Sequence, residues 1–280
     1  MTPQETAVHA TLQERGLCLP CAPPLLSPLG GGSGPVFAIA GIHGPELVAK
    51  VRPLACQALA AEWENLNFLH GHGGNGGAPR PVHRGASGGW SVLLIERHPG
   101  TTLHEMLPHA ADAPAALNLA DQAGRALGRL HSVSDKDAPK GTGDIKGDCR
   151  QHLSKPAGQN LALAMKVRAA ALLVLETHYT PCFCHGDFNL KQVVAADHSP
   201  MGLVDFECAG LNDPLIDLCK GVLHFPTNPA GVSAAATAFV SGYNNSSPQQ
   251  VTNDVALAGA LVLAAVHAPH LVDSVVGLVP

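Results

Sequence analysis

His185-Gly186-Asp187-Phe188-Asn189-Leu190-Lys191-Gln192, followed by Gly202-Leu203-Val204-Asp205-Phe206-Glu207, decides how this chain is read. Gln192 to Asp197 reads as a short apolar strand. Asp197-His198-Ser199-Pro200 is turn chemistry, and Gly202 to Phe206 reads as the return strand. With the turn centred between His198 and Ser199, position 192 falls opposite position 205. Opposed residues on paired strands have Cα atoms roughly 5 Å apart, which lets two oxygen ligands share one Mg²⁺. Asp187, at the head of the loop, is left to accept a proton from a hydroxyl. Two carboxylates and an amide in this layout suit phosphoryl transfer.

Working outward, the 280 residues are 46% hydrophobic and only 14% charged, which excludes a disordered chain and a nucleic-acid binder. The formal charge of -5 treats all 16 histidines as neutral. With an ordinary pKa near 6.5, about a quarter of them are protonated at pH 7, and those ~4 charges bring the balance close to zero. No signal-peptide pattern is visible in Met1 to Gly16. The uncharged stretch Val255 to Val272 contains His267, Pro269 and His270 and reads as a buried helix, not a membrane span. The eight cysteines are scattered, as in a reducing cytoplasm. Cys18-Leu19-Pro20-Cys21 lacks a second pair at zinc-site spacing and reads as ordinary thiols. Cys182 and Cys184 point to one face of a strand and read as packing.

The first third of the chain is β-rich. A short helix over residues 3 to 16 precedes a proline-rich stretch, Pro20 to Pro28. A glycine turn, Gly30 to Gly34, then leads into a strand at Val36 to Ala40. A second strand spans Leu47 to Val51, a helix Ala55 to His70, and a buried strand Trp90 to Ile95. After Pro99-Gly100 the pattern becomes helical. Leu117, Ala120, Gly124, Leu127 and Leu130 mark one face of a helix ending near His131. Ser134 to Lys155 is polar and reads as loop. Helices follow at Leu161 to Leu175, Leu215 to Val222, Val232 to Tyr243 and from Asp254. The lobe boundary falls near Glu96 to Gly100.

Two charges sit where apolar residues belong. Lys50 shares a strand face with Val48, and Glu62 falls in the series Leu59, Glu62, Leu66, Leu69, the apolar face of its helix. Either charge alone on a packed face is costly, whereas a pair is tolerable. A lysine held by a glutamate is also how kinase-like sites orient the α and β phosphates. Backbone N–H groups of Gly31, Gly32 and Ser33 are placed to approach phosphate. Leu94 to Arg97, before Pro99-Gly100, reads as a hinge whose Glu96 and Arg97 backbone groups meet adenine.

This set of segments, in this order, resembles the aminoglycoside phosphotransferase and choline kinase superfamily, small-molecule relatives of the protein kinases. The resemblance covers Leu25 to Tyr243. It rests on Val48-Ala49-Lys50, Glu62 to Leu69, Leu93 to Gly100, Arg125 to His131, His185-Gly186-Asp187, Asp205-Phe206-Glu207 and Asp213-Pro214-Leu215-Ile216-Asp217-Leu218. It implies an α+β, bilobal protein-kinase-like fold. Residues 1–96 would form a small antiparallel-sheet N-lobe that binds nucleotide, and residues 97–280 a mostly helical C-lobe with the catalytic loop and acceptor site. ATP, with GTP as the alternative, is clamped between the lobes together with Mg²⁺. Asp187 is then the catalytic base or the aspartate that positions the hydroxyl, Asp205 the main Mg²⁺ ligand and Lys50 the phosphate contact. Asp217 and His185 support the loop, and Glu207 serves a second metal or the acceptor. The family usually has asparagine where this chain has Gln192, which still offers an amide oxygen to the metal at altered reach.

For the acceptor, residues 135 to 180 hold five acids and seven bases, about +2, and a polycation prefers an acidic wall. The leading expectation is a cytoplasmic O-phosphotransferase acting on an antibiotic hydroxyl of the aminoglycoside, macrolide or cyclic-peptide type, which confers resistance. A sugar or amino-sugar kinase is the second, and a nucleotide-binding scaffold without turnover the third. No APE-type segment follows Asp205-Phe206-Glu207, which disfavours a protein kinase. Neither a nucleic-acid nor a membrane partner is expected.

Overall fold

A computed structural model of the chain describes residues 1–17, 24–30, 34–40, 45–72, 77–133, 136–154, 160–196, 199–225 and 231–279. The leading helix α1 (Pro3–Glu14) is set by its own first turn. Thr2 Oγ1 accepts from the Glu5 N–H at 3.2 Å while the Glu5 carboxylate accepts from the Thr2 N–H at 2.6 Å, a reciprocal cap that satisfies two otherwise unpaired donors. Then follow β1 (Leu25–Gly30), β2 (Val36–Ala40), β3 (Leu47–Pro53), α2 (Ala58–Gly71), β4 (Pro81–Ser87) and β5 (Trp90–Glu96). The five strands form one antiparallel sheet in the order β1-β2-β3-β5-β4.

Alternation along β3 decides which face does what. Leu47, Ala49 and Val51 join Ala7, Val8 and Leu12 of α1 and Phe37, Ile39, Val92 and Leu94 in a small core on one face. Val48 faces the other way, with Leu93 and Ile95, into the main core that includes Leu59, Leu66 and Leu69 of α2. Lys50 and Arg52 follow Val48 at the period of two.

The edges of this sheet went unannounced by the hydrophobic pattern. The proline-rich stretch runs into β1, which tolerates Pro28 because it is an edge strand, where a missing N–H costs no ladder bond. β4, with His83, Arg84 and Gly85 among its residues, carries no apolar alternation.

The rest of the chain is mostly helical. In order come β6 (Thr101–Thr102), α3 (Leu103–Met106), α4 (Ala113–His131), α5 (Ile145–Ser154), α6 (Leu161–Glu176), β7 (Cys182–Cys184), β8 (Val193–Ala195) and β9 (Gly202–Leu203). They are followed by β10 (Gly210–Asn212), α7 (Leu215–His224), α8 (Val232–Asn244), α9 (Asn253–His267) and α10 (Val272–Val276). α4 and α8 touch backbone to backbone: a Cβ at Gly124 would collide with the Phe239 carbonyl, and one at Gly242 with the Asp121 carbonyl. Val255 to Ala264 of α9 are all buried, so the uncharged stretch is a core helix. Among the described residues no helix is long and apolar enough to cross a membrane. The sulfurs of Cys182 and Cys184 lie 3.8 Å apart in the core, as packing residues on one strand face. The Cys18–Cys21 pair lies outside the described residues.

Two expectations need correction. The polar segment Ser134 to Lys155 contains helix α5. Asp144 caps it, its carboxylate accepting from the Gly147 N–H at 2.8 Å, and only Ile145 and Cys149 are buried. Two inward residues one turn apart suffice for a helix lying flat against α6 and α9, and that is too weak a stripe to read. The hairpin after the His185–Gln192 loop is also shorter and differently registered. Val193 pairs with Leu203 and Val194 with Gly202, one residue out of the expected register. Gln192 therefore stands opposite Val204, whose N–H donates to the Gln192 carbonyl at 2.9 Å. The return strand ends at Leu203, and Phe206–Cys208 is a turn of 3₁₀ helix.

Candidate active site

β3 carries Lys50 into the cleft between sheet and helices, and α2 brings Glu62 to meet it. Lys50 Nζ donates to Glu62 Oε1 and Oε2 at 2.7 and 2.9 Å and to Asp205 Oδ1 at 2.5 Å. The Lys50 side chain is 8% exposed and that of Glu62 is 0% exposed. Burial alone would push the ammonium pKa down. Glu62 and then Asp205 outweigh it, and the pKa stands above its ordinary value. α2 also fixes the segment after β9, since Asn65 donates to the Phe206 carbonyl at 2.8 Å and Glu62 Oε1 accepts from the Phe206 N–H at 3.3 Å.

Asp205 has φ 74° and ψ 63°, and among the described residues it is the one non-glycine at positive φ. Aspartate tolerates this left-handed conformation better than most residues. It turns the carboxylate back toward the loop, so Gln192 Nε2 donates to Asp205 Oδ2 at 3.2 Å although the two are not cross-strand partners. Burial works to raise the Asp205 pKa, but Lys50 dominates and holds it below the usual carboxylate range. Glu207 differs: burial first and Asp205 second push its carboxyl pKa up. Its Oε2 is buried with no hydrogen-bond partner, and Arg52 Nη2 stands 4.0 Å away.

The catalytic-type loop is braced from below. Asp217, fully buried near the start of α7, accepts from the His185 N–H at 2.6 Å and the Gly186 N–H at 2.8 Å. His131 Nε2 lies 3.0 Å from Asp217 Oδ2, and His131 Nδ1 lies 3.1 Å from the Tyr243 hydroxyl. Gly186 has φ 80°, and any Cβ there would meet the Cys208 carbonyl. His185 Nδ1 accepts from the Asp187 N–H at 3.3 Å, so Nε2 carries the proton and donates to the Val204 carbonyl at 2.8 Å. Both ring nitrogens are thus engaged by backbone, which leaves His185 no role as a base. Asp187 is half exposed, and Lys220 of α7 donates to its Oδ1 at 3.2 Å and to the Gly186 carbonyl at 2.6 Å.

The cleft between the two halves has a volume of about 380 Å³ and is lined by residues that include Val48, Lys50, Arg52, Ile95, Glu96, Arg97, Gln192 and Asp205. Glu96 and Arg97 thus line this cleft. Their N–H groups, however, donate to the Arg80 and Glu46 carbonyls at 2.9 and 2.8 Å. The next backbone N–H along the hinge is that of His98. Gly31, Gly32 and Ser33 lie outside the described residues. Sequence reasoning missed Arg52 and Lys220. Arg52 was legible as the next inward position of β3 after Val48 and Lys50, and Lys220 as the residue one turn beyond Asp217 on α7.

A cleft closed by a sheet on one side and a braced aspartate loop on the other defines the fold class, a kinase-like two-lobed fold. The family follows from the chain as a whole: residues 3–248 match the model of the phosphotransferase enzyme family, and the chain belongs to it. Among solved structures, the macrolide 2'-phosphotransferase of Brachybacterium faecium is similar with a TM-score of 0.63 and 18% identity, covering 100% of this chain and 99% of that one. A choline kinase of Streptococcus pneumoniae has a TM-score of 0.63 and 14% identity, over 95% and 89% of the two chains. An aminoglycoside phosphotransferase of Streptomyces rimosus, solved with ADP and streptomycin, has a TM-score of 0.57 and 19% identity, over 88% and 92%. At these identities the likeness is one of fold. No curated protein matches the chain in sequence.

Proposed function

We propose that the protein is a cytoplasmic, ATP- and Mg²⁺-dependent O-phosphotransferase that phosphorylates a hydroxyl of a small molecule. Residues 1–96 act as the nucleotide lobe and 97–280 as the acceptor lobe. The observation that carries this reading is the convergence of Lys50, Gln192 and Asp205 on one cleft, with Asp187 five residues before Gln192 on the same loop.

The residues present fit a hard divalent cation. Asp205 and Glu207 supply carboxylate oxygens, and a half-turn of the Gln192 amide supplies a third oxygen, the donor type such a cation prefers. Glu62, Asp205 and Glu207 each bring a carboxylate oxygen within 4.8 Å of the others. Glu207 Oε2 is buried without a hydrogen bond and meets Arg52 Nη2 only at 4.0 Å, and its raised pKa belongs to a carboxylate that a nearby cation would stabilise in its charged form. Mg²⁺ on Asp205 and Gln192, with Glu207 beside them, would offset charge on the β and γ phosphates. Lys50, oriented by Glu62, holds the α and β phosphates, and Arg52 adds positive charge beside it. Asp187 orients the acceptor hydroxyl and takes its proton. As the new O–P bond forms, the bond from the γ phosphorus to the bridging oxygen breaks and ADP leaves. His185 and Asp217 position the loop.

The acceptor suggested by the neighbours is an antibiotic. A sugar acceptor is the second reading, favoured by the side chain that meets Asp187, the Lys220 ammonium at 3.2 Å. A coupled ADP-release screen over antibiotics, sugars and amino alcohols, with Asp187→Ala as control, tests the proposal. Acceptor-dependent release lost in the control is expected. No release with any acceptor would leave a nucleotide-binding scaffold without turnover.

A further inference from the structure

A second cleft, of about 470 Å³, opens off the catalytic loop at Asn189, Leu190 and Lys191. Lys191 also lines the nucleotide cleft, so the two meet at this loop. The other polar side chains around the second cleft are His104, His224 and His270, and no residue lining it is acidic. The side chains of His104, Lys191, His224 and His270 make no hydrogen bond or ion pair among the described residues. Glu105, beside His104 in sequence, is turned back onto Thr102, whose N–H and hydroxyl it accepts at 3.2 and 2.9 Å.

The cleft borders the loop that carries the proposed base. His224 stands one turn beyond Lys220 on α7, within electrostatic reach of Asp187, Lys220, Lys191 and His104. Lys220 pairs with Asp187 at 3.2 Å. With no acid beside it, the Lys191 ammonium is complemented by an anionic oxygen, to which its charge-assisted hydrogen bond is about twice as strong as a neutral one, and the imidazole N–H groups can donate to the same oxygen. A polycation would meet repulsion at the same place.

We infer that this cleft receives an anionic group of the acceptor, a carboxylate or a phosphate. The hydroxyl that the protein phosphorylates therefore belongs to an acidic or already phosphorylated small molecule. The inference rests on the phosphotransferase reading above and narrows it: a cationic aminoglycoside is the wrong acceptor.

The test measures binding separately from turnover. The Mg·ADP-bound protein is titrated calorimetrically with glucose, gluconate, a hexose monophosphate and kanamycin. Gluconate or the hexose monophosphate is expected to bind at least about tenfold more tightly than glucose, the span of one charge-assisted hydrogen bond. Which of the two binds tighter identifies carboxylate or phosphate. The His224→Gln and His104→Gln variants should each lose most of that preference while ADP affinity stays within about twofold. Equal or tighter binding of glucose or kanamycin overturns the inference, as does failure of both anions to bind. An unchanged preference in both variants also overturns it. ADP release in the screen above reports on phosphotransfer itself, so activity confined to cationic acceptors would sink this inference and leave the phosphotransferase standing.

Discussion

Gln192 and Asp205 approach within 3.2 Å because the backbone at Asp205 is left-handed, not because the two residues face each other across the hairpin. The register sets Gln192 opposite Val204, and the reversal at position 205 returns the next side chain to the loop.

That dependence on one backbone conformation makes two substitutions separable. Asp205→Asn keeps a residue that tolerates positive φ and removes the charge. It should retain the fold while turnover falls by on the order of 10²-fold or more, as when a positioned electrostatic group is removed. Asp205→Val should lose activity and, in addition, about 1–3 kcal/mol of stability, because a β-branched residue is strained there. Thermal unfolding of the two variants side by side decides it. Equal stability would show that the left-handed turn is unimportant.

The buried pair gives a second prediction. Removing one partner of a buried ion pair costs about 3–5 kcal/mol, whereas replacing both by apolar groups is often neutral. Glu62→Met alone should sit near the low end of that range, because Asp205 still faces Lys50. The double variant Lys50→Met with Glu62→Met should regain most of the loss yet remain inactive. Chemical denaturation of the four proteins in the cycle checks it. A double variant less stable than Glu62→Met would contradict the argument.

The sequence announced this site wherever a charge broke an apolar pattern. Lys50 on a strand face and Glu62 on a helix face were conspicuous because nothing else explains them there, and the structure pairs them at 2.7 Å. The loop from His185 to Gln192 and the helix start at Asp213 to Asp217 were equally plain as motifs. What stayed hidden obeys no local period. Strands β1 and β4 lie at sheet edges, where alternation is not required, and α5 needs only two inward residues. The hairpin register depends on turn geometry that Asp197 to Pro200 does not dictate. Arg52 and Lys220 are ordinary surface residues until tertiary packing turns them inward. The acceptor cleft is hidden for the same reason, since His104, Lys191, His224 and His270 come from four separate segments.

Beneath the loop, His131 and Asp217 set a pH window. Burial works to raise the Asp217 pKa, but the hydrogen bond and charge of His131 lower it below the ordinary value. Its contribution to stability is therefore present above about pH 3.9 and fades as pH falls through the depressed folded value. His131 shifts the opposite way. Burial lowers it, but Cys182, Tyr243 and the hydrogen bond to Asp217 raise it well above its ordinary value. Its contribution is full below about pH 6.5 and is lost as pH rises through the raised folded value. The wild type should therefore lose stability on the alkaline side of neutrality. His131→Gln, less stable at pH 6, should show a flatter alkaline limb in denaturant titrations. Parallel limbs would remove His131 as the titrating group.

Glycine to alanine should act with opposite sign at two helical positions. Alanine is favoured over glycine in a helix by about 1 kcal/mol. At Gly71, the last residue of α2, a Cβ meets nothing within 4 Å, so Gly71→Ala should stabilise by up to that amount. At Gly124 the new Cβ meets the Phe239 carbonyl and lies 2.7 Å from the Tyr243 nitrogen. Both are backbone atoms of α8 and cannot swing aside. Overpacking of this kind costs about 1–3 kcal/mol or more, which exceeds the propensity gain, and Tyr243 also carries the hydroxyl that meets His131. Gly124→Ala is expected to destabilise the protein and to weaken the brace under Asp217, so that kcat falls while the affinity for ADP holds. Equilibrium unfolding of both variants measures the first effect and single-turnover kinetics the second. A stabilised Gly124→Ala protein would mean that α4 and α8 do not touch backbone to backbone.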